Sequence, residues 1–76
     1  MKKIVIAVNG WVFIGKTVIK EKTVILTDAS VIRRWGTERG IGQIAISGPT
    51  KDTILDPLPR TEIQKASVIA VLDCEE

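Results

Sequence analysis

A chain of 76 residues builds one compact domain and has no room for a second, so a single domain is expected over 1–76. Its one cysteine, Cys74, and its lack of histidine exclude an internal disulfide and a cysteine–histidine zinc site, which fits a reducing, cytosolic setting. Eleven basic against nine acidic side chains give a formal net charge of +2, too weak a field to signal nucleic-acid or membrane binding from bulk charge.

The N-terminal "MKKIVIAVNG" has an apolar run too short for a signal sequence or a bilayer span. "KIVIAV" (Lys3 to Val8) instead reads as a strand covered on both faces. Asn9-Gly10 suits a two-residue turn because both residues tolerate positive φ. "WVFIGKTVIK" then reads as the returning strand, with a bulge or bend at Gly15. After a tight turn at Glu21-Lys22, "TVILT" (Thr23 to Thr27) predicts a third strand closed by a turn at Asp28-Ala29-Ser30. "VIRRW" (Val31 to Trp35) predicts a fourth.

Past Trp35 the glycine content rises. Ile41, Ile44 and Ala45 lie at i, i+3 and i+4, which fits one or two helical turns starting near Thr37. "QIAIS" as a strand competes with that reading, because Gly40 and Gly42 each weaken a helix by about 1 kcal/mol. Gly48-Pro49 ends the element either way. "DTILDPLPR" predicts a short strand running into a Pro57/Pro59 turn, and "TEIQ" and "SVIAVLDC" predict two more. Connections this short join antiparallel neighbours and not parallel crossovers. The expected fold is therefore mainly β: a small antiparallel barrel or roll of five to seven short strands with at most one short helix. Its sheet edges and small core make pairing with another copy of the chain an expected solution.

"GWVFIGKT" (Gly10 to Thr17) matches the G-x-x-x-x-G-K-T spacing of a phosphate-binding loop. That chemistry needs a flexible loop whose amides turn inward, and a helix starting at the Lys-Thr pair. Trp11, Val12, Phe13 and Ile14 prefer a pleated sheet, and the following "VIKEKTVILT" lacks a helical period. The match is expected to be a hairpin with a surface lysine.

"RRWGTERG" (Arg33 to Gly40) is chemically richer. The guanidinium groups of Arg33, Arg34 and Arg39 can bind phosphate bidentately, the Trp35 indole offers a stacking face, and Thr37 with the next amides could present N–H groups to an anion. These five residues form the candidate site for a small phosphate-bearing ligand such as a nucleotide. The structural alternative stands beside it. On a strand Arg33 and Trp35 face one way and Arg34 the other, Trp35 could plug the core, and an arginine could pair with Glu21, Asp28 or Glu38.

Elsewhere the chemistry is sparse. Asp52, Asp56, Glu62 and Asp73 show no acid/base spacing, with Asp56 before Pro57 read as a turn residue. The threonines have no histidine to activate them, and Cys74 is expected on a frayed C-terminus beside acidic residues that disfavour a thiolate. No catalytic residue, metal ligand or cofactor is expected, and the chain does not read as an enzyme.

"LTDASVIRRWGTERGIGQIAISGPTKDTILDP" (Leu26 to Pro57), followed by "ASVIAVLDC", resembles short uncharacterised proteins of bacteriophages and prophages. The shared pattern is an arginine-x-tryptophan-glycine-threonine turn, a Gly-[Leu/Ile]-Gly step and a Gly-Pro. The resemblance implies a viral origin, hence the host-cell cytoplasm, and brings no catalytic residues. Two functions are expected from the whole. One is a homo-oligomeric binding module for a phosphate-bearing ligand, such as a nucleotide signal of host defence. The other is a structural or protein-interaction module that meets a virion or host protein through a sheet edge or the Trp11/Phe13 face.

Overall fold

The computed structural model describes residues 2–37 and 40–75. Strand β1 (Lys2–Ala7) pairs antiparallel with β2 (Val12–Ile19), with Ile4 opposite Ile14 and Ile6 opposite Val12. The loop between them is a 3-10 turn, Val8–Gly10, closed by the Ala7 N–H donating to the Trp11 carbonyl at 2.8 Å. The whole connection, Val8 to Trp11, is two residues longer than the Asn-Gly pair alone predicts, yet Asn9 (φ 63°) and Gly10 (φ 78°) both adopt the expected positive φ. The next connection is tight, with the Lys20 N–H donating to the Thr23 carbonyl at 2.8 Å.

Strand β3 (Thr23–Arg34) runs unbroken for 12 residues, where the sequence predicts two strands parted by a turn at Asp28-Ala29-Ser30. The chain does not reverse there because both halves of β3 pair with β2, Leu26 opposite Thr17 and Val31 opposite Phe13. Asp28 (φ 46°) supplies the positive φ of a turn residue, but in a bulge that lets β3 carry one extra residue opposite Gly15. Gly15 is required for this. A Cβ there would lie 2.5 Å from Ala29 Cβ and 2.7 Å from its Cα. Trp35 falls just beyond the strand.

Helix α1 (Ile41–Ser47) follows, then β4 (Ile54–Leu58), β5 (Thr61–Gln64), a 3-10 turn at Lys65–Ser67 and β6 (Val68–Asp73). The six strands form one antiparallel sheet in the order β4-β3-β2-β1-β6, with β5 continuing the edge of β4 along the first half of β3. Because β6 returns to pair with β1, the sheet is not a simple meander. In a flat sheet β5 and β6 would lie four strand spacings, about 19 Å, apart. They are joined by only three residues in a 3-10 turn, which rise about 2 Å each. The sheet must therefore curl its two edges toward each other, which makes it a roll; it does not close into a barrel.

The curl creates two cores. On one face Ile4, Val12, Ile14 and Ile32 pack beneath Ile44 and Ala45 of α1. Inside the curl lie Val5, Ala7, Phe13, Val24, Leu26 and Ala29. Alternate residues of β1 thus serve opposite cores, which explains its nearly continuous apolar run. The helix wins over the competing strand because Ile44 and Ala45 bury together only at helical spacing. The C-terminus, expected to fray, is pinned. The Cys74 N–H donates to the Lys2 carbonyl at 3.4 Å and the Glu75 N–H to the Ala45 carbonyl at 2.7 Å.

Candidate functional site

The phosphate-loop spelling lies on the β1–β2 hairpin. Val12, Phe13, Ile14, Gly15 and Thr17 are buried sheet residues, and Thr17 Oγ1 donates to the Gly15 carbonyl at 3.0 Å. Lys16 is exposed and pairs with Asp28 at 3.2 Å. Amides held in a ladder on both sides cannot turn together around a phosphate.

The arginine–tryptophan segment is built differently from the expected pocket. Between Ile32 and Arg34 the register against β4 shifts by one residue, so Arg33 sits in a bulge and strict face alternation fails; both arginines are exposed. Arg33 Nε donates to Asp56 Oδ2 at 2.8 Å, a partner on β4 that is a strand residue rather than the expected turn residue. Neither Glu21 nor Asp28 takes that role. Trp35 does not plug a core. It is 44% exposed, with its ring edge over the Gly40 backbone, where a Cβ would lie 3.6 Å from Cζ3.

Two threonines hold this loop. Thr53 Oγ1 donates to the Trp35 carbonyl at 2.5 Å and Thr50 Oγ1 to the Gly36 carbonyl at 2.7 Å. Gly36 (φ 62°) lies so close to the 50–53 loop that a Cβ would strike the Asp52 carbonyl and come within 2.7 Å of the Thr53 nitrogen. Thr37 corrects the expected helix start. Its Oγ1 donates to the Gly40 carbonyl at 2.7 Å, four residues before the helix begins in earnest, and caps nothing. A helix of 7 residues led by Gly40 is a poor anion site. Arg39, the fifth expected site residue, lies outside the described residues. The structure thus leaves Arg33, Arg34 and Trp35 exposed in succession along the chain but occupies Arg33 with Asp56 and Thr37 with a backbone carbonyl.

A true concavity lies elsewhere. Trp11, just past the first turn, is 54% exposed and stacks on Phe13, with ring centroids 6.0 Å apart and planes within 7°. Spacing of two on a strand puts both rings on the same face. The curl brings Ile63 of β5 and Ser67 of the second 3-10 turn against them. The resulting cleft of about 260 Å³ is lined by Ala7, Val8, Trp11, Phe13, Ile63 and Ser67. Among its described lining residues, polar atoms come from the Ser67 hydroxyl and the Trp11 indole N–H. The Trp11/Phe13 face was visible in the sequence, but the opposite wall was not, because nothing local ties residues 63–67 to residues 7–13. A second, larger groove of about 390 Å³ between Glu21, Lys22, Gln64, Lys65 and Ala66 mixes charges of both signs.

Among the described residues no group of three His, Cys, Asp or Glu side chains could hold a metal ion, and no buried side-chain nitrogen or oxygen lacks a partner. Among them, too, no helix is long and apolar enough to cross a membrane. No family model matches the chain, and no curated protein matches it.

Proposed function

We propose that this protein is a non-enzymatic interaction module whose Trp11–Phe13 cleft receives an apolar side chain of a partner polypeptide. The observation that carries this reading is a tryptophan left more than half exposed while stacked on a buried phenylalanine at the mouth of an apolar cleft. Large aromatic side chains held rigidly at a surface are the groups that anchor protein interfaces. At about 260 Å³ the cleft falls below the roughly 300–1,000 Å³ of small-molecule pockets. No cation lines it. A leucine or aromatic side chain suits that volume and polarity; a nucleotide does not. The resemblance of Leu26 to Pro57 to short phage proteins supports a virion or host protein as partner, met in the host cytoplasm.

Selection of peptides from a random library on the intact protein tests this. Enriched peptides should share an apolar anchor and bind the Trp11→Ala variant at least about tenfold more weakly. Peptides that bind both forms equally reject the reading.

A second reading, a small phosphate-bearing ligand held at the Arg33–Trp35 segment, is favoured by one observation. Arg34, the last residue of β3, and Trp35, at the start of the loop that Thr50 and Thr53 hold in place, both remain exposed. Thermal-shift screening against cyclic and linear nucleotides separates the two: a stabilisation abolished by Arg34→Ala and Trp35→Ala, but not by Trp11→Ala, selects the ligand.

A further inference from the structure

The segment from Ile63 to Ser67 is shared by two concavities. Ile63 and Ser67, both half-buried, form one wall of the Trp11–Phe13 cleft, while Gln64, Lys65 and Ala66, all exposed, line the second groove with Glu21 and Lys22. The Lys65 N–H donates to the Lys22 carbonyl at 2.9 Å, which ties the 3-10 turn to the β2–β3 connection and sets two lysines beside each other. Like charges placed together repel, and nothing within the molecule answers these. Among the described residues Lys22 and Lys65 join none of the ion pairs, and neither does Lys20 on the same connection. Glu21, the one acid among the groove's described lining residues, pairs with neither lysine. Glu62, next to Ile63 in the chain, is taken by Arg60 at 3.6 Å. An uncharged apolar cleft thus borders a groove whose positive charge has no internal partner.

We infer that the polypeptide received by the Trp11–Phe13 cleft carries an aspartate or glutamate a few residues from its apolar anchor, and that Lys22 and Lys65 take up that carboxylate. The inference rests on the cleft reading above and adds the chemistry of a second contact. The reach is short. Lys65 and Ser67 are two steps apart on a 3-10 turn that rises about 2 Å per residue. An extended peptide advances about 3.3 Å per residue, so an acid about two to four positions from the anchor crosses the Ile63–Ser67 wall. The two contacts act differently. A desolvated anchor supplies affinity, whereas an exposed charged flank steers the approach and turns away basic partners. Because both lysines are exposed, their contribution lies in selectivity and in salt dependence more than in binding strength.

A random peptide library selected in parallel on the wild-type protein and on the double variant Lys22→Glu/Lys65→Glu reads both contacts. Both positions are exposed, so the double variant should keep the circular dichroism of the wild type. The wild type should enrich peptides with an apolar anchor and an Asp or Glu about two to four positions away. The double variant should keep the anchor and exchange the acid for Lys or Arg. A synthetic copy of a peptide selected on the wild type should bind the double variant about tenfold more weakly, and should lose about threefold on the wild type between low salt and about 0.5 M salt. Anchor-bearing peptides that are weakened by Trp11→Ala but show no acidic preference overturn this inference and leave the cleft reading standing. So does an acidic preference that persists in the double variant. Peptides without a shared anchor, bound equally by Trp11→Ala, overturn the cleft reading and this inference with it.

Discussion

Trp11 and Trp35 are exposed to similar degrees, 54% and 44%, yet they stand on different foundations. Trp11 stands in extended backbone one residue before β2, stacked on Phe13, with the core of Val5, Leu26 and Ala29 beneath. Trp35 stands on a loop whose position depends on two hydroxyl-to-carbonyl bonds from Thr50 and Thr53 and on a glycine with no side chain to obstruct them. The first foundation is apolar and produces a concavity; the second is polar and produces a rim. Exposure alone therefore does not identify a binding tryptophan. What lies under the ring decides what can lie over it.

The contrast can be broken at several depths. Phe13→Ala removes a buried ring from under Trp11 and should cost about 3–5 kcal/mol in urea-denaturation experiments. Gly36→Ala forces a Cβ onto the Asp52 carbonyl at positive φ, and should cost more than about 1 kcal/mol in the same assay. Thr53→Val keeps the shape but leaves the Trp35 carbonyl without its donor, for about 1 kcal/mol. Arg33→Ala breaks an exposed ion pair, with side chains 64% and 48% exposed, and should change stability by less than about 1 kcal/mol. If Thr53→Val proved as damaging as Phe13→Ala, the distinction between an apolar and a polar foundation would fail.

Much of the fold was legible in local chemistry. Short apolar runs rich in β-branched residues marked the strands, Asn9-Gly10 marked the first hairpin, and Ile41, Ile44 and Ala45 offered a helix against a competing strand. The sequence misled where one local signal served two geometries. Asp28 looks like a turn residue because it tolerates positive φ, but a bulge needs the same tolerance, and only the approach of Ala29 to Gly15 decides between them. Thr37 looks like a helix cap, but the glycines after it postpone the helix and leave the hydroxyl to bind Gly40 instead. Half of the candidate cleft was legible, as the Trp11-x-Phe13 spacing. The other half, Ile63 and Ser67, arrives through the curl of the sheet, a tertiary effect that no window of sequence contains. The pairing of Arg33 with Asp56 was missed for the same reason: the partner lies 23 residues away across a strand register set by a second bulge.

Strand β3 pairs with β2 along one side and with β4 and β5 along the other, and it sends Ile32 into one core and Val24, Leu26 and Ala29 into the other. Neither half of the molecule can melt while the other persists, since each would have to tear away from the same backbone. Heating should produce one sharp transition, and the slowest-exchanging amides beneath the helix and within the curl should report a common opening energy.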